Sequence, residues 1–108
     1  MSREMKFGTM FHPKHIHSIQ SYKTKVETVY RVRVNAEVND YDDLTQGNIT
    51  VYGRDEERVA KAFVNIMNEF PTIFTSRYSN DPFPLNTASF EEILNHPRSY
   101  GMGLTWCR

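Results

Sequence analysis

Residues 49–70 read ITVYGRDEERVAKAFVNIMNEF, and this stretch decides the fold class. Ile49 and Val51 alternate with Thr50 and Tyr52, the period of two that sends alternate side chains to one face of a strand. Gly53 breaks that strand. Asp55, Glu56 and Glu57 then load the start of a helix with negative charge, where the helix dipole is positive. Val59, Phe63, Ile66, Met67 and Phe70 recur at helical spacing and form one apolar stripe. Pro71 cannot continue the helix. The pattern predicts a strand over 48–52 and a helix over about 55–70.

Outward from this unit, Tyr30, Val32, Val34, Ala36 and Val38 alternate with Arg31, Arg33, Asn35 and Glu37. That is a half-buried strand starting as early as Val26. Residues 39–47 (NDYDDLTQG) are polar and too few for a helical crossover, so the two strands are expected to pair as an antiparallel hairpin. Downstream, TIFTSRY (72–78) is β-branched and aromatic and reads as a strand, and SNDPFPLN (79–86) as a loop. Ser89 and Glu92 form a capping box for a short helix over about 90–96, stopped by Pro97. Residues 104–107 are a candidate closing strand. Residues 1–25 read as strands or as an irregular, partly ordered arm. The fold class expected is α+β, one domain over 1–108. It has an antiparallel or mixed sheet, with one main helix and one short helix packed on one face. Phe63, Phe70 and Trp106 are the expected core aromatics.

The chain has 108 residues, 39% hydrophobic and 13% aromatic, with one cysteine and thirteen basic against thirteen acidic groups. One domain of this size is the expectation. A lone Cys107 excludes an internal disulfide framework. No signal-peptide core and no membrane-length apolar run is present, so a cytoplasmic protein without membrane contact is expected. The zero net charge argues against a strongly basic nucleic-acid binder. It conceals a segregation, however: residues 1–33 carry net +5 and residues 34–70 net −5.

Three groups of residues carry candidate chemistry. Tyr22, Lys23, Lys25, Tyr30, Arg31 and Arg33 interleave bases with aromatics, suited to phosphate contact and base stacking or to a protein interface. Asp40, Tyr41, Asp42 and Asp43 form an acidic loop that could mimic phosphates toward a basic partner. His12, His15 and His17 are weak candidates for a metal, with the imidazoles of an extended His15-Ile16-His17 on one face.

Two family resemblances follow from these residues. His15-Ile16-His17 resembles the histidine–hydrophobic–histidine motif of rolling-circle replication nucleases and related transposases. The resemblance implies a metal on the two histidines and attack on DNA by a tyrosine, for which Tyr22 and Tyr30 follow in sequence. Residues 49–70, through Gly53, the acidic turn, Val59, Ala62 and Ile66, resemble the closing strand and helix of a KH domain. KH domains grip nucleic acid with a Gly-x-x-Gly loop, which this sequence lacks, so the resemblance covers the β-α unit alone.

No complete catalytic set is present, and no cofactor is expected. The expectation is a small non-catalytic binding protein acting through protein–protein contacts, an inhibitor or adaptor in the style of phage or mobile-element accessory proteins. Self-association through an edge strand, as a homodimer, is compatible with it. The alternatives are a nucleic-acid-binding module using the basic and aromatic strand face, and a metal-dependent His-x-His nuclease.

Overall fold

The computed structural model describes residues 4–41, 44–70, 73, 89–96 and 105–107. Strand β1 (Met5–Phe11) leads through a short 3-10 turn (Pro13–His15) into helix α1 (Ile16–Tyr30). Strands β2 (Arg33–Tyr41) and β3 (Leu44–Gly53) form a hairpin, followed by α2 (Glu56–Glu69), α3 (Phe90–Asn95) and β4 (Thr105–Cys107). The four strands make one sheet in the order β2-β3-β1-β4, and every neighbouring pair is antiparallel. β1 and β2 therefore run parallel with β3 inserted between them, and β3 and β4 run parallel with β1 between them. This is the interlocked, split βαβ arrangement. The α+β class, the antiparallel sheet and the two expected helices are all present.

The register explains the core. Phe7, Val51 and Val34 form one cross-strand row, and Thr9, Ile49 and Ala36 form the next; all six are buried. Phe11, Gly47 and Val38 form the third row. A Cβ on Gly47 would lie 2.4 Å from the Phe11 ring, so the missing side chain is the space that ring occupies. Helix α2 covers β1 and β3 with Val59, Phe63, Ile66 and Met67. Phe63 stacks on Phe7 with ring centroids 4.8 Å apart. Asp55 caps α2, its carboxylate accepting from the Arg58 N–H at 3.3 Å. Ser89 caps α3, accepting from the Glu91 N–H at 3.1 Å, one residue short of the capping-box position.

Of residues 1–25, Met5–Phe11 is a strand, one of the two readings expected of it, whereas the part from Ile16 onward is a helix and neither strand nor irregular arm. α1 joins two parallel strands at opposite ends, a connection that needs a dozen or more residues. Its 15 residues rise about 22 Å, close to the roughly 23 Å of a seven-residue strand. Ile19 and Val26 are buried, and Ile16, Tyr22 and Tyr30 pack against the core. Tyr30 thus ends a helix rather than opening a strand. The hairpin strands also run further than expected, with Tyr41 opposite Leu44 as the last pair, so only 42–43 link them.

The inner face of α1 closes the outer edge of the sheet. Gln20 donates to the Ala36 carbonyl at 3.2 Å, and Lys23 to the Val34 carbonyl at 3.5 Å. The Glu27 carboxylate accepts the Val34 N–H at 3.1 Å and lies 3.8 Å from the Lys23 amine. These three side chains occupy the edge groups of β2 that another strand would need.

The strand expected over 72–78 lies outside the described residues except for Ile73, which sits in a turn bonded to the Phe70 carbonyl. The loop over 79–86 and Pro97 also lie outside them. In β4, Trp106 stands opposite Phe7 in the backbone register. Among the described residues, no helix is long and apolar enough to cross a membrane.

Candidate functional site

Both long helices lie on one face of the sheet. The other face presents Lys6 and Met10 from β1, Asn48, Thr50 and Tyr52 from β3, and Arg33, Asn35 and Glu37 from β2. The β1 and β2 positions are exposed and those of β3 half-buried. The Asn48 amide nitrogen is screened from solvent and has no hydrogen-bond partner among the described residues.

At the open end of the hairpin, this face runs into a cleft of about 530 Å³. Pairing of Arg33 with Tyr52 brings the end of α1, the start of β2, the end of β3 and the cap of α2 together there. Four arginines line it, Arg31, Arg33, Arg54 and Arg58, against two carboxylates, Glu4 and Asp55. The Arg33 guanidinium lies over the Tyr52 ring at 4.5 Å and pairs with Glu4. Arg58 pairs with Asp55 at 3.5 Å. Arg31 and Arg54 are exposed and have no partner among the described residues. Arg31 also stands in the left-handed region, at φ 55° and ψ 49°, where it terminates α1. A second cleft of about 410 Å³ adjoins it, sharing Arg31, Asp55 and Arg58 and reaching Tyr30 and Lys61. Lys61 there pairs with Glu57 at 2.9 Å.

The expected basic and aromatic group divides. Arg31 and Arg33 share the cleft, but Arg31 caps a helix and does not lie beside Arg33 on a strand face. Tyr22, Lys23 and Lys25 ride on α1 and not on a strand, and Lys23 reaches the edge of β2 at the Val34 carbonyl. Tyr22 is half-buried and donates to the Asn65 side-chain oxygen at 2.6 Å, with its ring edge-on to Phe70 at 5.4 Å. Burial pushes its phenol above the usual tyrosine range, helped by the charges of Glu69 and Tyr30. The Lys25 amine sits 5.6 Å from the Tyr22 ring.

The acidic group lies at the other end of the hairpin. Asp40 accepts from the Thr45 hydroxyl at 2.7 Å and Tyr41 closes the ladder, while Asp42 and Asp43 fall outside the described residues. The histidines are not on a strand. His12 accepts from the Lys14 N–H at 3.2 Å, His15 precedes α1 and His17 lies in its first turn. Helical geometry turns residues two apart to nearly opposite sides, so the extended two-imidazole face does not form. Among the described residues, no group of three or more His, Cys, Asp or Glu is placed to hold a metal.

Arg54 and Arg58 complete the cleft from within the segment of net −5. The signal that could have found them is the hairpin itself, which sets Tyr52 opposite Arg33 and so brings the residues after Tyr52 to the end where Arg31 and Arg33 lie.

No protein-family model and no curated protein sequence matches the chain. Among solved structures it is similar to "De novo designed protein Foldit4", with a TM-score of 0.52 and 11% identity over 65% of this chain and 83% of that one. That likeness concerns the fold.

Proposed function

We propose that this chain is a non-catalytic binding module that docks a protein partner on the helix-free face of its sheet, as an inhibitor or adaptor. The observation that carries this reading is the composition of that face. It mixes charges of both signs with amides, a tyrosine and an exposed methionine, and no described helix covers it. Arginine and tyrosine are the side chains that most often anchor protein interfaces, and Arg33 already holds Tyr52 in a fixed stack. The test is partner capture with wild type and Thr50→Glu, which puts a charge at the centre of the face. Loss of the captured protein in the variant, with the fold intact by circular dichroism, supports the reading. Equal capture by both proteins refutes it.

The four arginines at the open end support a second reading, single-stranded nucleic acid tracking across Arg33 and Tyr52. That reading requires binding that falls steeply with salt. No binding of an oligonucleotide at low salt excludes it.

A further inference from the structure

We infer that the cleft between Arg31 and Arg54 receives an acidic peptide segment of the protein partner, its carboxylates taking the two uncompensated guanidiniums. This deepens the protein-docking reading and rests on it.

Two charges in the cleft are already settled: Glu4 is held by Arg33 and Asp55 by Arg58. Arg31 and Arg54 then remain on its walls with no internal counter-charge among the described residues. A guanidinium offers a planar fork of donors that matches a carboxylate bidentately. The backbone at Arg31 adds an independent observation. A left-handed residue ending a helix is ordinarily glycine, and a side chain there is unfavourable. The fold nonetheless keeps an arginine at that point, aimed into both adjoining clefts. The lining also selects the class of anion. With Glu4 and Asp55 already held, the cleft offers two open guanidiniums, a number that suits a few discrete carboxylates of a peptide better than a charge at every unit of a polymer.

The test is fluorescence anisotropy at low ionic strength. The probes are a labelled peptide of glutamates spaced by serines, the same peptide with glutamines, and an oligothymidylate. The glutamate peptide is expected to bind and the glutamine peptide not to bind. Arg31→Gly and Arg54→Gln should each weaken the glutamate peptide about tenfold, with Lys14→Gln, in the 3-10 turn beyond the far end of β1, changing it less than twofold. Arg31→Gly relieves the left-handed backbone, so its melting temperature should not fall and its loss of binding cannot be loss of fold. Equal binding by the arginine variants and wild type overturns the inference, as does an equal loss in Lys14→Gln. Tighter, arginine-dependent binding of the oligothymidylate overturns it in favour of nucleic acid. Partner capture that is lost in Thr50→Glu but kept in Arg31→Gly overturns the role of the cleft and leaves the sheet-face reading standing.

Discussion

Gly47 shows how much one missing side chain can decide. It sits on the central strand β3, and Phe11 lies across the vacancy above it. Gly47→Ala forces the buried ring aside and should cost about 1–3 kcal/mol, read as a lower urea midpoint at unchanged slope. Because the clash is with one ring, Phe11→Leu should make the alanine less costly, a coupling that a double-mutant cycle measures. Tyr22 is the second informative residue. Its folded phenol keeps its proton at a pH where the unfolded phenol has released it. The folded state then binds more protons, so raising pH above about 10 favours unfolding. Tyr22→Phe should lose about 1 kcal/mol at neutral pH with the Asn65 bond, yet decline less steeply with pH above 10 in denaturation curves.

Among the elements, α2 was legible because its signals are local: an acidic first turn, an apolar stripe and a following proline. The hairpin was legible from its period of two. Helix α1 was hidden because its inner face is only partly apolar. Ile16, Ile19 and Val26 mark the stripe, but Tyr22, Lys23, Glu27 and Tyr30 complete it, and Thr24, Thr28 and Val29 give it a β-like composition. Ser21 and Thr28 return their hydroxyls to the carbonyls of His17 and Thr24 at 2.9 Å, which fits them to a helix despite their propensity. The polar inner face serves the edge of β2. Glu27→Ala leaves the Val34 N–H without its acceptor and should cost about 1–2 kcal/mol by chemical denaturation. Glu27→Gln keeps an acceptor and should recover most of it. The arginine cleft was half legible for the same reason of scale. Arg31 and Arg33 stand in a basic run, whereas Arg54 and Arg58 reach the cleft only through strand pairing.

Across the whole molecule, the segregation of charge survives folding in a changed form. Each of the four described ion pairs joins residues of the same segment, so the two segments do not neutralise one another through them. The hairpin instead carries arginines at its open end and Asp40 toward its turn. The strand order has a further consequence, for how the chain is made. β1 precedes the other described strands in sequence, yet its neighbours are β3 and β4, with Lys6 paired to Tyr52 on one side and Cys107 on the other. Only the hairpin can form early from nearby residues; β1 waits for partners that emerge later. A chain stopped after residue 96 lacks β4 and leaves β1 bare along one side, and it should scatter light on refolding at concentrations where the full chain stays clear. The strand that leads the described elements is thus completed by the one that closes them, and unfinished copies must keep its open edge from one another until β4 follows.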